Sequence, residues 1–259
     1  MLAAPARTTW HARFGVLQRR ARASWRTLHL GALVVALALA PSTYRRPWRQ
    51  PMAAQLVRAA YPLLPWFTLL AAIASLVVIR IVLVTAQSYG LSQYALGMVV
   101  RVFVLELIPM SAALAVALRV TIPMAAEIAG TAAERATSLP WLREQLAPRV
   151  LAGMVAVLLL AAVGSLLALV LTYLLAHGFT PYAFARFTRL VGQIFDPVVA
   201  LVFVLKTAAL ALAVSVAPLG AAVRADAAGA ETAAQRGALR LFMLVLTIEI
   251  LALMGSYLQ

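Results

Sequence analysis

The 259 residues contain no cysteine, which removes disulfides, thiolate metal sites and cysteine nucleophiles together. Charge is scarce as well: Asp, Glu, Lys and Arg make up 12% of the chain, against about 25% in a soluble domain. The histidines, His11, His29 and His177, are too scattered to form a metal cluster. No H-E-x-x-H, G-x-S-x-G or G-x-x-x-x-G-K-[ST] occurs, so neither a common hydrolase signature nor a nucleotide site is present. No catalytic residue, metal or cofactor is therefore expected, and any linked ATP hydrolysis must come from another chain. Hydrocarbon, by contrast, is abundant. Apolar residues are 64% of the chain and the mean hydropathy is +0.95, more than a water-soluble interior of this size could absorb. The bilayer is the natural solvent.

A helix crossing the hydrocarbon core needs about 20 mostly apolar residues at about 1.5 Å each. Five segments qualify, at roughly 62–86, 95–120, 149–176, 197–223 and 239–258. The expected architecture is an all-α integral membrane protein with a transmembrane domain over 59–259, behind an N-terminal segment over 1–58. A charged stretch around 124–148 separates the second and third spans.

The net charge of +14 suggests nucleic acid only until its distribution is read. Ten of the 22 basic residues precede position 59, with no acid among them. A basic flank beside apolar spans fits the anionic cytoplasmic leaflet, and no nucleic-acid motif accompanies it. Loop charges also set the orientation. The N-terminal segment holds 10 basic residues, the loop with Arg119, Arg135, Arg143 and Arg149 four, and that with Arg224, Arg236 and Arg240 three. The alternate loops hold none and two, Arg186 and Arg189. This asymmetry of 17 against two predicts a cytoplasmic N-terminus and a C-terminus outside.

Within the N-terminal segment, Trp10, Phe14, Leu17, Ala21, Trp25 and Leu28 recur on one side of a helix. Arg13, Arg19, Arg20, Arg22 and Arg26 fall on the other, so an amphipathic helix lying in the membrane interface is expected. The run Leu30–Ala40 is too short to span. Its Ala38-Leu39-Ala40 pattern could serve a signal peptide, but the long basic region before it and Pro41 after it favour a retained interfacial or re-entrant segment.

Ionisable residues inside spans cost a few kcal/mol each and are functional candidates by default. Counted by helical rise, Glu106 lies about 16 Å into the second span, Lys206 about 14 Å into the fourth and Glu249 about 15 Å into the fifth. All three are near the midplane, with Arg80 and Arg101 nearer the outer face. Lys206 is the sole lysine beside 21 arginines, which points to a need for a compact, deprotonatable cation at that place. Two readings of these charges stand. They are neutralised structural pairs, Lys206 with Glu249 or Glu106, or they form a polar seam lining a cavity. Pro109, Pro123 and Pro218 are expected to kink their helices.

Four fragments, in order, carry a family resemblance. Glu106-Leu107-Ile108-Pro109, continuing through Arg119 to Ala126-Glu127-Ile128-Ala129-Gly130, is similar to E-L-G-P, G-R and A-E-[IL]-G. Pro148-Arg149-Val150-Leu151-Ala152-Gly153 matches P-R-V-L-A-G, Leu205-Lys206-Thr207 is close to I-K-[ST], and Glu249 stands where an aspartate is usual. The chain resembles the MlaE/YrbE permease family over about residues 28–259. The resemblance implies a homodimeric permease in a bacterial inner membrane, with its C-terminus periplasmic. It further implies an ATP-binding ABC subunit and an MCE-domain substrate-binding protein as partners, and a phospholipid as cargo. Under it, Arg80 and Arg101 stand near a lipid phosphate and Glu106, Lys206 and Glu249 line the seam, while Glu127, Glu134, Arg135 and Glu144 are candidates for ATPase coupling.

The departures are specific. Leu105 occupies the place of an arginine, and Arg101, one turn earlier, is expected to replace that charge from the same helix face. The segment between spans two and three is short and carries Ala132-Ala133-Glu134-Arg135-Ala136-Thr137 in place of a clear E-Q-[IL]-x-A-[LM] motif. Two alternatives follow: a scaffold subunit that does not couple to ATP hydrolysis, or, from another class, an intramembrane lipid-modifying enzyme. A secondary transporter is disfavoured by five spans without visible inverted repeats.

Overall fold

The computed structural model describes residues 46–131, 141–223 and 230–257, which are helix and short connections with no strand among them. Helix α1 (Arg46–Ala60) turns at Tyr61-Pro62 into α2 (Leu63–Ser88). A long second helix follows in alternating geometry: α3 (Ser92–Met98), a π segment (Val99–Leu107), α4 (Ile108–Val116), a second π segment (Ala117–Thr121) and α5 (Ile122–Thr131). A π turn (Leu142–Leu146) leads into α6 (Ala147–His177), then come the amphipathic α7 (Phe184–Ile194), α8 (Pro197–Ala222) and α9 (Ala230–Tyr257). Five stretches are long and apolar enough to cross a membrane: Ala53–Ser88, Tyr94–Ala129, Glu144–His177, Pro197–Ala222 and Gly237–Gly255. The all-α, five-span architecture expected from hydropathy is the one observed. The interfacial helix expected around Trp10–Leu28, the run Leu30–Ala40, Glu134 and Arg135 lie outside the described residues.

Helix α6 is the hub, packing against α1, α2, α4 and α8. Its buried positions include Ala152, Gly153, Ala156, Ala161, Gly164 and Ala168. In lipid no hydrophobic drive separates helix from solvent, so close backbone approach through small residues supplies the adhesion. Two glycines show how tight this is. A Cβ at Gly153 would stand 2.6 Å from Ser215 Oγ of α8, and one at Gly164 would stand 2.9 Å from Ile108 and 3.1 Å from Phe67. Two buried threonine hydroxyls are turned back onto their own helices: Thr172 donates to the Ala168 carbonyl at 2.6 Å and Thr207 to that of Phe203 at 2.7 Å. Helix α1 straddles the 58/59 border drawn from composition, and Leu56, Ala59 and Ala60 pack with the same core as Ala152 and Ala156.

The two π segments have a common cause in the sequence. Each ends at an Ile-Pro pair, Ile108-Pro109 and Ile122-Pro123, and in each the isoleucine amide donates to a carbonyl five residues back, Phe103 or Ala117. Proline lacks the next amide and its ring crowds the carbonyl one turn behind. A turn widened by one residue relieves that crowding while the helix continues. Kinks expected at Pro109 and Pro123 thus take the form of wide turns.

Candidate functional site

The side chains at mid-depth converge. Lys206, on α8, donates to Glu106 of the first π segment and lies 2.6 Å from Glu249 Oε2 on α9. Helix α8 packs directly on α9, which brings Glu249 to Lys206, while its contacts with α4 and α5 hold it beside the second span. Glu106 stands within the first wide turn, on the side facing α8. The lysine side chain is 2% exposed, whereas the Glu106 and Glu249 side chains keep 23% and 13% of their surfaces open. The neighbours Leu107, Leu205 and Ile250 are all exposed, so the cluster sits just beneath the outer surface of this chain.

An ammonium offers three donors and no acceptor, and here two carboxylates share it. With every group ionised the cluster carries one net negative charge. Glu249 Oε1 is buried and has no hydrogen-bond partner among the described residues. The arrangement ties the second, fourth and fifth spans together and leaves a polar spot in an otherwise apolar wall. Among the described residues no three His, Asp or Glu side chains are grouped to hold a metal.

The remaining candidates do not join the cluster. Arg80 and Arg101 are exposed, and neither forms an ion pair with a described residue. Positions 101 and 105, expected to share a helix face, have different surroundings. Leu105 is only 7% exposed and packs with Val100 and Ile194, while Arg101 points outward. Glu127 lies exposed on α5, and Glu144 lies exposed on the π turn before α6.

Hydropathy alone shows neither π segment, although the repeated Ile-Pro pair was a visible signal. The segment from His177 to Asp196, read as a connection, folds instead into α7, whose Phe184, Phe187, Val191 and Ile194 recur at helical spacing. A family model described as Permease MlaE matches residues 52–254. No curated protein matches the chain at a significant level.

Proposed function

The chain belongs to the MlaE permease family, and from that premise we propose that it is the homodimeric membrane subunit of an ATP-driven phospholipid transporter. Membership makes it a multi-pass permease of the lipid ABC-transport kind, a transport subunit. The finer reading is that it resides in a bacterial inner membrane with its C-terminus periplasmic. There it engages a separate ATPase and an MCE-domain protein, and passes phospholipid between that membrane and the outer envelope.

The observation that carries this reading is the Lys206–Glu106–Glu249 cluster. A quarter-exposed carboxylate at bilayer mid-depth is costly against hydrocarbon. The face bearing Glu106 therefore suits a polar cavity shared with a second copy of the chain. Arg80 and Arg101, exposed and without an ion-pair partner among the described residues, lie nearer the α7 end of the spans and suit the phosphate of a lipid entering that cavity, because a guanidinium holds phosphate through two parallel hydrogen bonds. ATP-driven closure would reach the cavity along the second span, from Glu127 through the two wide turns to Glu106.

A second reading, a scaffold that does not couple to ATP hydrolysis, is favoured by the short segment between the second and third spans. One preparation separates the two. The chain is extracted from its native membrane in mild detergent, and co-purifying chains, bound lipid and lipid-stimulated ATPase activity are measured. Recovery of an ATPase, an MCE-domain protein and phospholipid with stimulation is the expected result. Recovery of the MCE protein without an ATPase identifies the scaffold. Absence of both partners and of phospholipid overturns the proposal.

A further inference from the structure

A second feature lies away from the charged cluster. Between α6 and α7 is an open cavity of about 360 Å³, lined by Leu166, Leu169, Val170, Phe184, Phe187 and Val191. Two hydroxyls reach its wall, and both are already committed: Tyr173 donates to the Thr180 carbonyl and Thr188 to that of Phe184 at 2.7 Å. Water needs two to four polar partners to occupy such a space, and the other lining side chains are hydrocarbon. The volume is within the range of small-molecule pockets.

Its position supplies the occupant. Leu166 is 11 residues before His177, the last residue of α6, so the cavity runs from about 16 Å below the end of that span toward the interface. This is the depth of acyl chains in one leaflet. Helix α7 roofs it with Phe184, Phe187 and Val191, and at about 100° per residue its two arginines, Arg186 and Arg189, fall on the opposite side, where both are exposed. A helix with such a division lies in the interface, its basic side among the headgroups. The loop before it exposes Phe179 and Tyr182, aromatic residues of the kind that anchor at that level.

We infer that the α6–α7 cavity holds one acyl chain of an anionic phospholipid, whose headgroup lies at the level of Arg186 and Arg189. The inference goes beyond the transport reading and does not depend on it, since it requires only that the chain lies in a bilayer.

The test uses the full chain, with whatever partner chains co-purify, in nanodiscs containing a phospholipid with a photoactivatable diazirine on its acyl chain. After irradiation, labelling of residues 166–191 is compared by mass spectrometry with that of 69–84, an exposed stretch of the first span. The cavity stretch should be labelled several-fold more, and more by phosphatidylglycerol than by phosphatidylcholine. Val170→Trp, which fills the space from an exposed position, should remove the excess. Leu166→Trp repeats this at the other end should the first variant not fold. Arg186→Gln with Arg189→Gln should abolish the headgroup preference while labelling persists. Labelling no greater than that of 69–84, or untouched by both tryptophans, overturns the site, as does a protein crosslink in its place, which would mean a partner helix fills the cavity. Equal labelling by both headgroups overturns the assignment of an anionic lipid.

Discussion

Two sets of charges lie at membrane depth, and the molecule treats them in opposite ways. Lys206, Glu106 and Glu249 are gathered from three spans into one cluster, with the lysine fully enclosed. Arg80 and Arg101 are left on the outside without an ion-pair partner among the described residues. Charge paired inside the fold cannot lose one member without harm to the fold. Charge left facing outward is available to something else. The contrast separates residues whose loss damages structure from residues whose loss damages only traffic, and it can be broken experimentally.

The largest effect belongs to Lys206→Met, which leaves two carboxylates facing each other without their cation. Removing one member of a buried pair costs about 3–5 kcal/mol, so the folded fraction in detergent, followed by thermal unfolding, should collapse. The triple variant Lys206→Met, Glu106→Gln, Glu249→Gln should recover most of that stability, since no lone charge remains. A triple variant as unstable as the single would mean that lost cluster contacts, and not the lone charges, account for the damage. Next in size is Glu249→Gln alone, which leaves a one-to-one Lys206–Glu106 pair. It should unfold at a temperature between those of wild type and Lys206→Met.

On the other side of the comparison, Arg80→Gln and Arg101→Gln should shift stability by no more than about 0.5 kcal/mol, as for exposed positions generally. In the assembled complex they should nonetheless slow the transfer of fluorescent phospholipid between vesicles several-fold. A stability loss equal to that of the cluster variants would erase the distinction drawn above. The smallest effect is expected from Arg101→Lys, which keeps the charge and loses only the planar fork. Its transfer rate should lie between those of wild type and Arg101→Gln.

Hydropathy made the five spans legible because each is a run near the length a bilayer demands. Rise per residue placed Glu106, Lys206 and Glu249 at one depth, which is most of what is needed to suspect that they meet. That Lys206 takes both carboxylates at once was beyond the sequence, since depth says nothing of which side of a helix faces which neighbour. Arg101 and Leu105, four apart, differ in burial because Leu105 meets Val100 and Ile194 while Arg101 is exposed, which spacing alone does not reveal. Helix α7 escaped notice because its 11 residues mix arginines with phenylalanines at low average hydropathy. Periodicity, and not hydropathy, was the signal to follow there.

The cluster also imposes a schedule on synthesis. Glu106 precedes Lys206 by 100 residues, and Glu249 follows Lys206 by a further 43 (249 − 206). At about 5–20 residues per second, the second span waits roughly 5–20 s in the membrane with an unmatched carboxylate before its counter-charge is made. During that interval only the apolar residues around Glu106 keep the span inserted. A nascent chain that stops before α8 therefore holds Glu106 in its second span without the lysine that meets it in the finished fold.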